Sequence, residues 1–348
     1  MARALNRAML LAAVLSLVGS CRPWIVDAAL SPVDTAGYEV EDLPVVITAS
    51  FAHGDDVYLG LETGEIKKAS DSHFSGPWSD LGRPLPGGPR LLFASTAGVL
   101  FASMDHQAMY RSADGGATWQ ACLDVPVWRM DEDDEGGLYA GEYIKDAEHV
   151  AALYKSTDAG VTWLLVFVDE HAHHIHTVRW DARGQRLYIA FGDGPGAGRA
   201  YSDDHGASFE VIARGAREMY TDVAFTRDYV FWCTDTASGQ ILRVERATGT
   251  QQIITGWSQF VWFGVADDEQ IYVGTVVSRD IGGERAALLA SHDQGHTWQK
   301  LSETAWSTGT YSQGFFAESR RLSAGGWLYC TGGDEQGPRS YRVRRALP

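Results

Sequence analysis

The feature that most constrains this chain is an eight-residue pattern repeated at a near-constant interval. Ser112-Ala-Asp114-Gly-Gly116-Ala-Thr118-Trp119 returns as Ser156-Thr-Asp158-Ala-Gly160-Val-Thr162-Trp163 and as Ser202-Asp-Asp204-His-Gly206-Ala-Ser208-Phe209. It returns once more as Ser291-His-Asp293-Gln-Gly295-His-Thr297-Trp298. The first serines lie 44, 46 and 89 residues apart, the last interval being two steps with one copy missing. Repetition at this length, with one strand–turn–strand signature per copy, predicts a radial or solenoidal array of small sheets.

Each position has a physical role in a hairpin corner. Ser and Asp side chains accept hydrogen bonds from backbone N–H groups a few residues further on and shape a tight turn. Gly supplies the positive φ that the turn requires. Trp or Phe opens the returning strand and is large enough to wedge between neighbouring sheets. The pattern resembles the Asp-box (BNR) repeat of the sialidase-superfamily β-propellers, and the resemblance runs through most of the chain. It implies a fold and says little of function, because such propellers include sialidases, other glycosidases, lyases, sorting receptors and a photosystem assembly factor.

A second signal recurs between the turns: a short apolar run ending in small residues. It reads Val57-Tyr-Leu-Gly60, Val99-Leu-Phe-Ala102, Leu138-Tyr-Ala-Gly141, Leu187-Tyr-Ile-Ala190, Val230-Phe-Trp-Cys233, Ile271-Tyr-Val-Gly274 and Leu328-Tyr-Cys330. Near-continuous apolarity marks strands covered on both faces, as the second strand of a blade is. The expected architecture is therefore all-β: a single seven-bladed propeller of four-stranded antiparallel blades, with almost no helix. The last blade runs out of chain after Ser340-Tyr-Arg-Val-Arg344, and an unpaired edge there is an aggregation hazard. Residues 24–42 are expected to supply the missing strand and close the ring.

At the amino end, Arg3 and Arg7 precede an apolar run from Met9 to Val18 that is too short to span a bilayer. That order is the order of a secretory signal. Leu17-Val-Gly-Ser-Cys21 is similar to a bacterial lipobox, which makes Cys21 the expected lipidation site; an ordinary signal cleaved nearby is the alternative. The expected division is 1–20 signal, 21–43 lipidated cysteine, linker and ring-closing strand, and 44–348 propeller. The expected product is exported, an envelope lipoprotein or a secreted protein. It is read as a monomer that meets the membrane only through an anchor at Cys21.

Cys122, Cys233 and Cys330 fall in three different repeats, which is neither a disulfide framework nor a metal site, so they read as small buried hydrophobes. The formal charge of -16 becomes -18 once Arg3 and Arg7 leave with the leader. A chain this acidic has no electrostatic footprint for nucleic acid, and a polyanionic substrate would need local arginines to offset the field.

Propeller topology says where chemistry sits. The start of each innermost strand and the loop between second and third strands share one face around the axis. The repeated turn joins third and fourth strands, so its aspartates lie on the opposite face near the rim and are not nominated as catalytic. The axial face offers Arg90, Trp128, Arg129, Tyr143, Asp235, Trp262 and Tyr311 as substrate-binding candidates. It offers His174, His176, Asp193, Tyr220 and Glu142 as catalytic candidates. In an extended segment His174 and His176 point to one face, and with Asp193 from the neighbouring loop they would form a divalent-metal ligand set. Alternatively one of them is a general base, or all are hydrogen-bonded loop histidines. No other cofactor is indicated. The glycine-rich Phe191-Gly-Asp193-Gly-Pro-Gly-Ala-Gly198 lacks the Lys-Ser/Thr of a phosphate cradle and reads as a loop.

The sialidase reading fails its own pattern, since no Arg-Ile-Pro motif exists and Gly88-Pro-Arg90-Leu is the nearest approach. Three readings stay open. One is a glycoside hydrolase or polysaccharide lyase in which His176, Tyr220 and Arg129 abstract a proton and neutralise a uronate carboxylate. Another is a non-catalytic binder of glycan or protein with Trp128, Tyr143, Tyr220 and Trp262 as stacking surfaces. The third is an assembly factor on the cell surface.

Overall fold

The computed structural model describes residues 32–146, 148–236, 239–255, 260–278, 285–304, 312–316, 319–334 and 337–346, together with the backbone of 24–25. The signal and lipidation expectations at 1–20 and Cys21 lie outside these residues. Seven antiparallel blades form a ring, and no α-helix occurs among the described residues. Their innermost strands, Ile47–His53, Leu91–Ala94, Val127–Glu132, Ile175–Asp181, Tyr220–Phe225, Phe260–Ala266 and Ser312–Phe316, lie side by side around the axis. The seven apolar runs are the second strands. Burial of Tyr139, Phe231, Tyr272 and Tyr329 between neighbouring blades explains why those runs are apolar on both faces. Cys233 and Cys330 sit in these inter-blade cores and Cys122 packs against another, as small hydrophobes do.

The repeated turn builds one geometry in each copy. In the first, Ser112 Oγ donates to Asp114 Oδ1 at 2.7 Å and accepts from Gly116 N at 2.8 Å. Thr118 then donates from its backbone N and its Oγ1 to the two oxygens of Asp114, at 2.9 and 2.6 Å. Asp158, Asp204 and Asp293 repeat this pattern. The glycine has two reasons to be there. Gly160 has φ +79°, and a Cβ on it would stand 2.4 Å from the ring of Phe101 in the preceding blade. Gly206 meets Tyr139 and Gly295 meets Phe231 in the same way. In these three copies the turn is thus a peg seated on an aromatic of the blade before it; in the first, Gly116 meets Leu81 instead.

The ring closes through the amino-terminal segment. Tyr38–Asp42 pairs antiparallel with Gly337–Arg345, Tyr38 opposite Arg345 and Asp42 opposite Tyr341, and becomes the outermost strand of the seventh blade. Earlier in the segment, Trp24–Ile25 adds a parallel fifth strand to the fifth blade along Gln251–Thr255. Asp34 N donates to Lys300 O of the sixth blade at 2.8 Å. The segment therefore touches three successive blades, which the sequence did not foretell. The sixth and seventh blades are also joined, Val276–Ser278 pairing with Ser312–Gly314, so two blades share one sheet.

Candidate functional site: the axial mouth

What aims side chains at the axis is a register fault repeated around the ring. The innermost strand skips one residue of its ladder at Thr48, Trp128, His176, Thr221 and Trp262, between Ile47/Ala49, Val127/Arg129, Ile175/Thr177, Tyr220/Asp222 and Val261/Phe263. A bulged residue is released from strand alternation and redirected. Thr48, Trp128 and Trp262 line a cleft at the mouth with Ser50, Arg90, Arg129 and Arg320. Thr221 turns instead to the Val261 carbonyl of the next blade, 2.5 Å away.

At the fourth blade the bulge assembles the histidines. His174 precedes the strand, held by a bridge to Tyr143 and by its carbonyl accepting from Gly192 N at 2.9 Å. The bulge brings His176 Nε2 to 2.6 Å from His174 Nε2. Asp193 follows the second strand, and its carboxylate makes no cap to the single 3-10 turn Gly194–Gly196 that it precedes. It reaches the histidines instead, Oδ1 3.3 Å from His176 Nε2 and Oδ2 3.5 Å from His174 Nε2. Burial and the neighbouring His176 lower the His174 pKa to about 3. Burial pushes the Asp193 carboxyl up, but the two imidazoles outweigh it and hold its pKa at about 2. Asp235 is raised, by burial and then by the charge of Asp193, against a lowering influence of His176.

An aromatic stack continues from these histidines across the third blade. Tyr143 lies 4.3 Å from the His174 ring and is stacked on Trp128 at 3.4 Å and 4°. Burial raises the Tyr143 hydroxyl far above its ordinary range. Asp105 fixes the outer end: Trp128 Nε1 donates to it at 2.6 Å, Arg90 pairs with it at 3.2 Å, and the Arg90 guanidinium sits over the Trp128 ring. Arg129 is buried beneath, donating to the Trp128 carbonyl at 3.2 Å.

Two catalytic candidates have separate surroundings. Tyr220 is one residue ahead of its bulge, so its ring turns between the blades, packs on Trp232 and lies under Arg199; burial raises its pKa to about 12. Glu142 is buried, with Oε1 2.9 Å from His149 Nε2 and Oε2 accepting from Tyr154 OH at 3.1 Å. His149, Tyr154, Thr48 and Arg320 were not anticipated. A signal for Thr48 was present in its place at the start of the first innermost strand, matching Trp128 and Trp262. Tyr311 lies outside the described residues.

Below the mouth, the axis is filled by a polar knot from four blades. Arg320 makes two 3.0 Å bonds to the fully buried Asp222, which also accepts from Thr177 at 2.9 Å. Arg179 donates to the Gly264 and Val223 carbonyls at 2.9 and 3.1 Å. Arg320 lines both the mouth cleft and the opening on the opposite face, so the channel is interrupted between them. The mouth cleft itself holds about 40 Å³, against ~30 Å³ for one water in the liquid. A sugar ring or peptide residue would lie on this surface and would not be enclosed by it.

Fold and mouth together define a seven-bladed β-propeller with a shallow axial platform. No protein-family model matches the sequence, and no curated protein matches it. Among solved structures, the chain is similar to YCF48 bound to D1 peptide, at 13% identity and TM-score 0.59 over 96% of this chain and 100% of that one. It is similar to a GH74 xyloglucanase from Xanthomonas campestris, at 16% identity and TM-score 0.57 over 87% of this chain and 55% of that one. A chain of the mitotic checkpoint complex gives 13% identity and TM-score 0.60 over 94% of this chain and 100% of that one. At these identities the likeness is one of fold.

Proposed function

We propose that this is an exported glycan-binding propeller whose axial mouth holds a saccharide chain by stacking, without cleaving it. The observation that carries the reading is the bulge at Trp128 and at Trp262, which presents two indoles to one shallow cleft, Trp128 braced by Asp105 and Arg90. Aromatic faces bordered by polar groups suit sugar rings, which offer apolar C–H faces and hydroxyl edges. The cleft of about 40 Å³ is far below the ~300–1,000 Å³ of enclosed small-molecule sites, which favours an open chain-binding surface. Similarity to a GH74 xyloglucanase is compatible with a glycan partner, and similarity to a peptide-bound YCF48 with a protein one.

Turnover is the second reading, favoured by one observation: His176 Nε2 stands 3.3 Å from Asp193 Oδ1, a base beside an orienting carboxylate. Titration calorimetry with xyloglucan, polygalacturonate and sialylated oligosaccharides tests the first reading. We expect one class to bind, Trp128→Ala to weaken it about tenfold or more, and no product to appear. Equal affinity in Trp128→Ala would refute the binding surface. Product formed by the wild type and lost in His176→Ala would establish turnover.

A further inference from the structure

We infer that His174, His176 and Asp193 form a binding site for a divalent transition-metal ion, of which Zn²⁺ is the fitting example. One nitrogen from each imidazole and a carboxylate oxygen lie mutually within 4.8 Å, so that one ion can touch all three. The nitrogen–oxygen separations of 3.3 and 3.5 Å match the edge of a tetrahedron built on bonds of ~2.1 Å, which is ~3.4 Å. The nitrogen–nitrogen separation of 2.6 Å needs to open by roughly 0.8 Å to reach that edge. A small turn about the side-chain torsions supplies it. Without an ion one ring donates its Nε2–H to the Nε2 lone pair of the other, and an ion would take the place of that proton.

Three further features fit an ion. The bulge at His176 is what brings its imidazole beside that of His174, a backbone irregularity of the kind that re-aims functional side chains. Asp193 begins a 3-10 turn without capping it, its carboxylate committed to the histidines. Both imidazoles are more than nine-tenths buried while the Asp193 side chain is 50% exposed, so the site is sheltered on the ring side and open toward solvent. Three protein ligands with an open fourth position are the arrangement of zinc sites that exchange a bound ligand. The donor set, imidazole with carboxylate, selects transition ions over Ca²⁺ and Mg²⁺, which take oxygen. This inference stands apart from the glycan reading, because the probe is the ion alone.

The test uses the full chain, stripped with chelator and dialysed. Zn²⁺ binding is measured by calorimetry, and Co²⁺ binding by its visible absorption, which reports a nitrogen-ligated site directly. We expect about one equivalent per chain, weakened at least tenfold in both His176→Ala and Asp193→Asn. His205→Ala is expected to bind as the wild type does; it removes the second such cluster among the described residues, with Asp133 and Asp134. Circular dichroism checks each variant, and should His176→Ala fail to fold, the half-exposed Asp193→Asn decides alone. A wild type that binds no Zn²⁺ at tens of micromolar, wild-type binding in Asp193→Asn, or loss confined to His205→Ala overturns the inference.

Discussion

Replacing Tyr38 with alanine tests whether the amino-terminal strand holds the ring shut. Tyr38 is 9% exposed, meets Tyr272 edge-on at 6.3 Å and accepts from Gln270 Nε2 at 3.2 Å. Truncating a buried aromatic costs ~3–5 kcal/mol, and the position at the rim argues for the low end, ~3 kcal/mol. The same strand carries three ion pairs, Glu39–Arg344, Glu41–Arg342 and Asp42–Arg339. All are partly exposed, so each contributes at most ~1 kcal/mol. The aromatic anchor should therefore dominate. At this chain size 1 kcal/mol corresponds to ~2 °C, so Tyr38→Ala should lower Tm by ~6 °C. The double variant Glu39→Gln/Glu41→Gln should lower it by ~2–4 °C at most. Scanning calorimetry with a urea-midpoint series on the same samples measures both. A Tyr38→Ala shift below ~2 °C, or one no larger than that of the double variant, would mean that the ring is closed by something other than this anchor.

The repeated turns make a prediction about acid. Hydrogen bonds from Thr118, Thr162 and Ser208 hold Asp114, Asp158 and Asp204 at about 2, below their ordinary value. A carboxylate depressed in the fold stabilises above its unfolded pKa and loses that contribution as pH falls through the folded one. Stability should fall between about pH 4 and pH 2, and Asp158→Ala should flatten that slope in urea midpoints taken across the window. An unchanged slope would contradict the assignment. Asp158→Ala should also leave any ligand affinity at the mouth untouched, since the turn lies on the other face. The glycines separate strain from contact. Gly98→Ala, at φ +79° with nothing within 4 Å, should cost ~1 kcal/mol. Gly160→Ala, at the same φ but against Phe101, should cost ~2–4 kcal/mol by chemical denaturation; equal costs would remove the peg.

The blades were legible in the sequence because a second strand covered on both faces has almost no freedom of composition. The runs from Val57-Tyr-Leu-Gly60 to Leu328-Tyr-Cys330 all became second strands. The meeting of His174, His176 and Asp193 followed from the same topology, one strand start beside the next strand's end. The bulges did not show, because one skipped residue leaves the apolar pattern on either side unchanged. For that reason Tyr220, one position early, went to the inter-blade core and Thr221 took the bulge. The strand at Trp24–Ile25 was equally hidden, since two residues carry no periodicity.

The bulge has a consequence for how such a ring diversifies. A residue outside the ladder does not set register, so exchanging it alters the mouth while the hydrogen-bonded frame continues past it. Thr48, Trp128, His176 and Trp262 each occupy the bulge of their innermost strand and differ in size and polarity. A hydroxyl, two indoles and an imidazole already occupy equivalent sockets on one scaffold. New specificity in such a chain needs a handful of point changes at its bulges, and the blades that carry them need not learn of it.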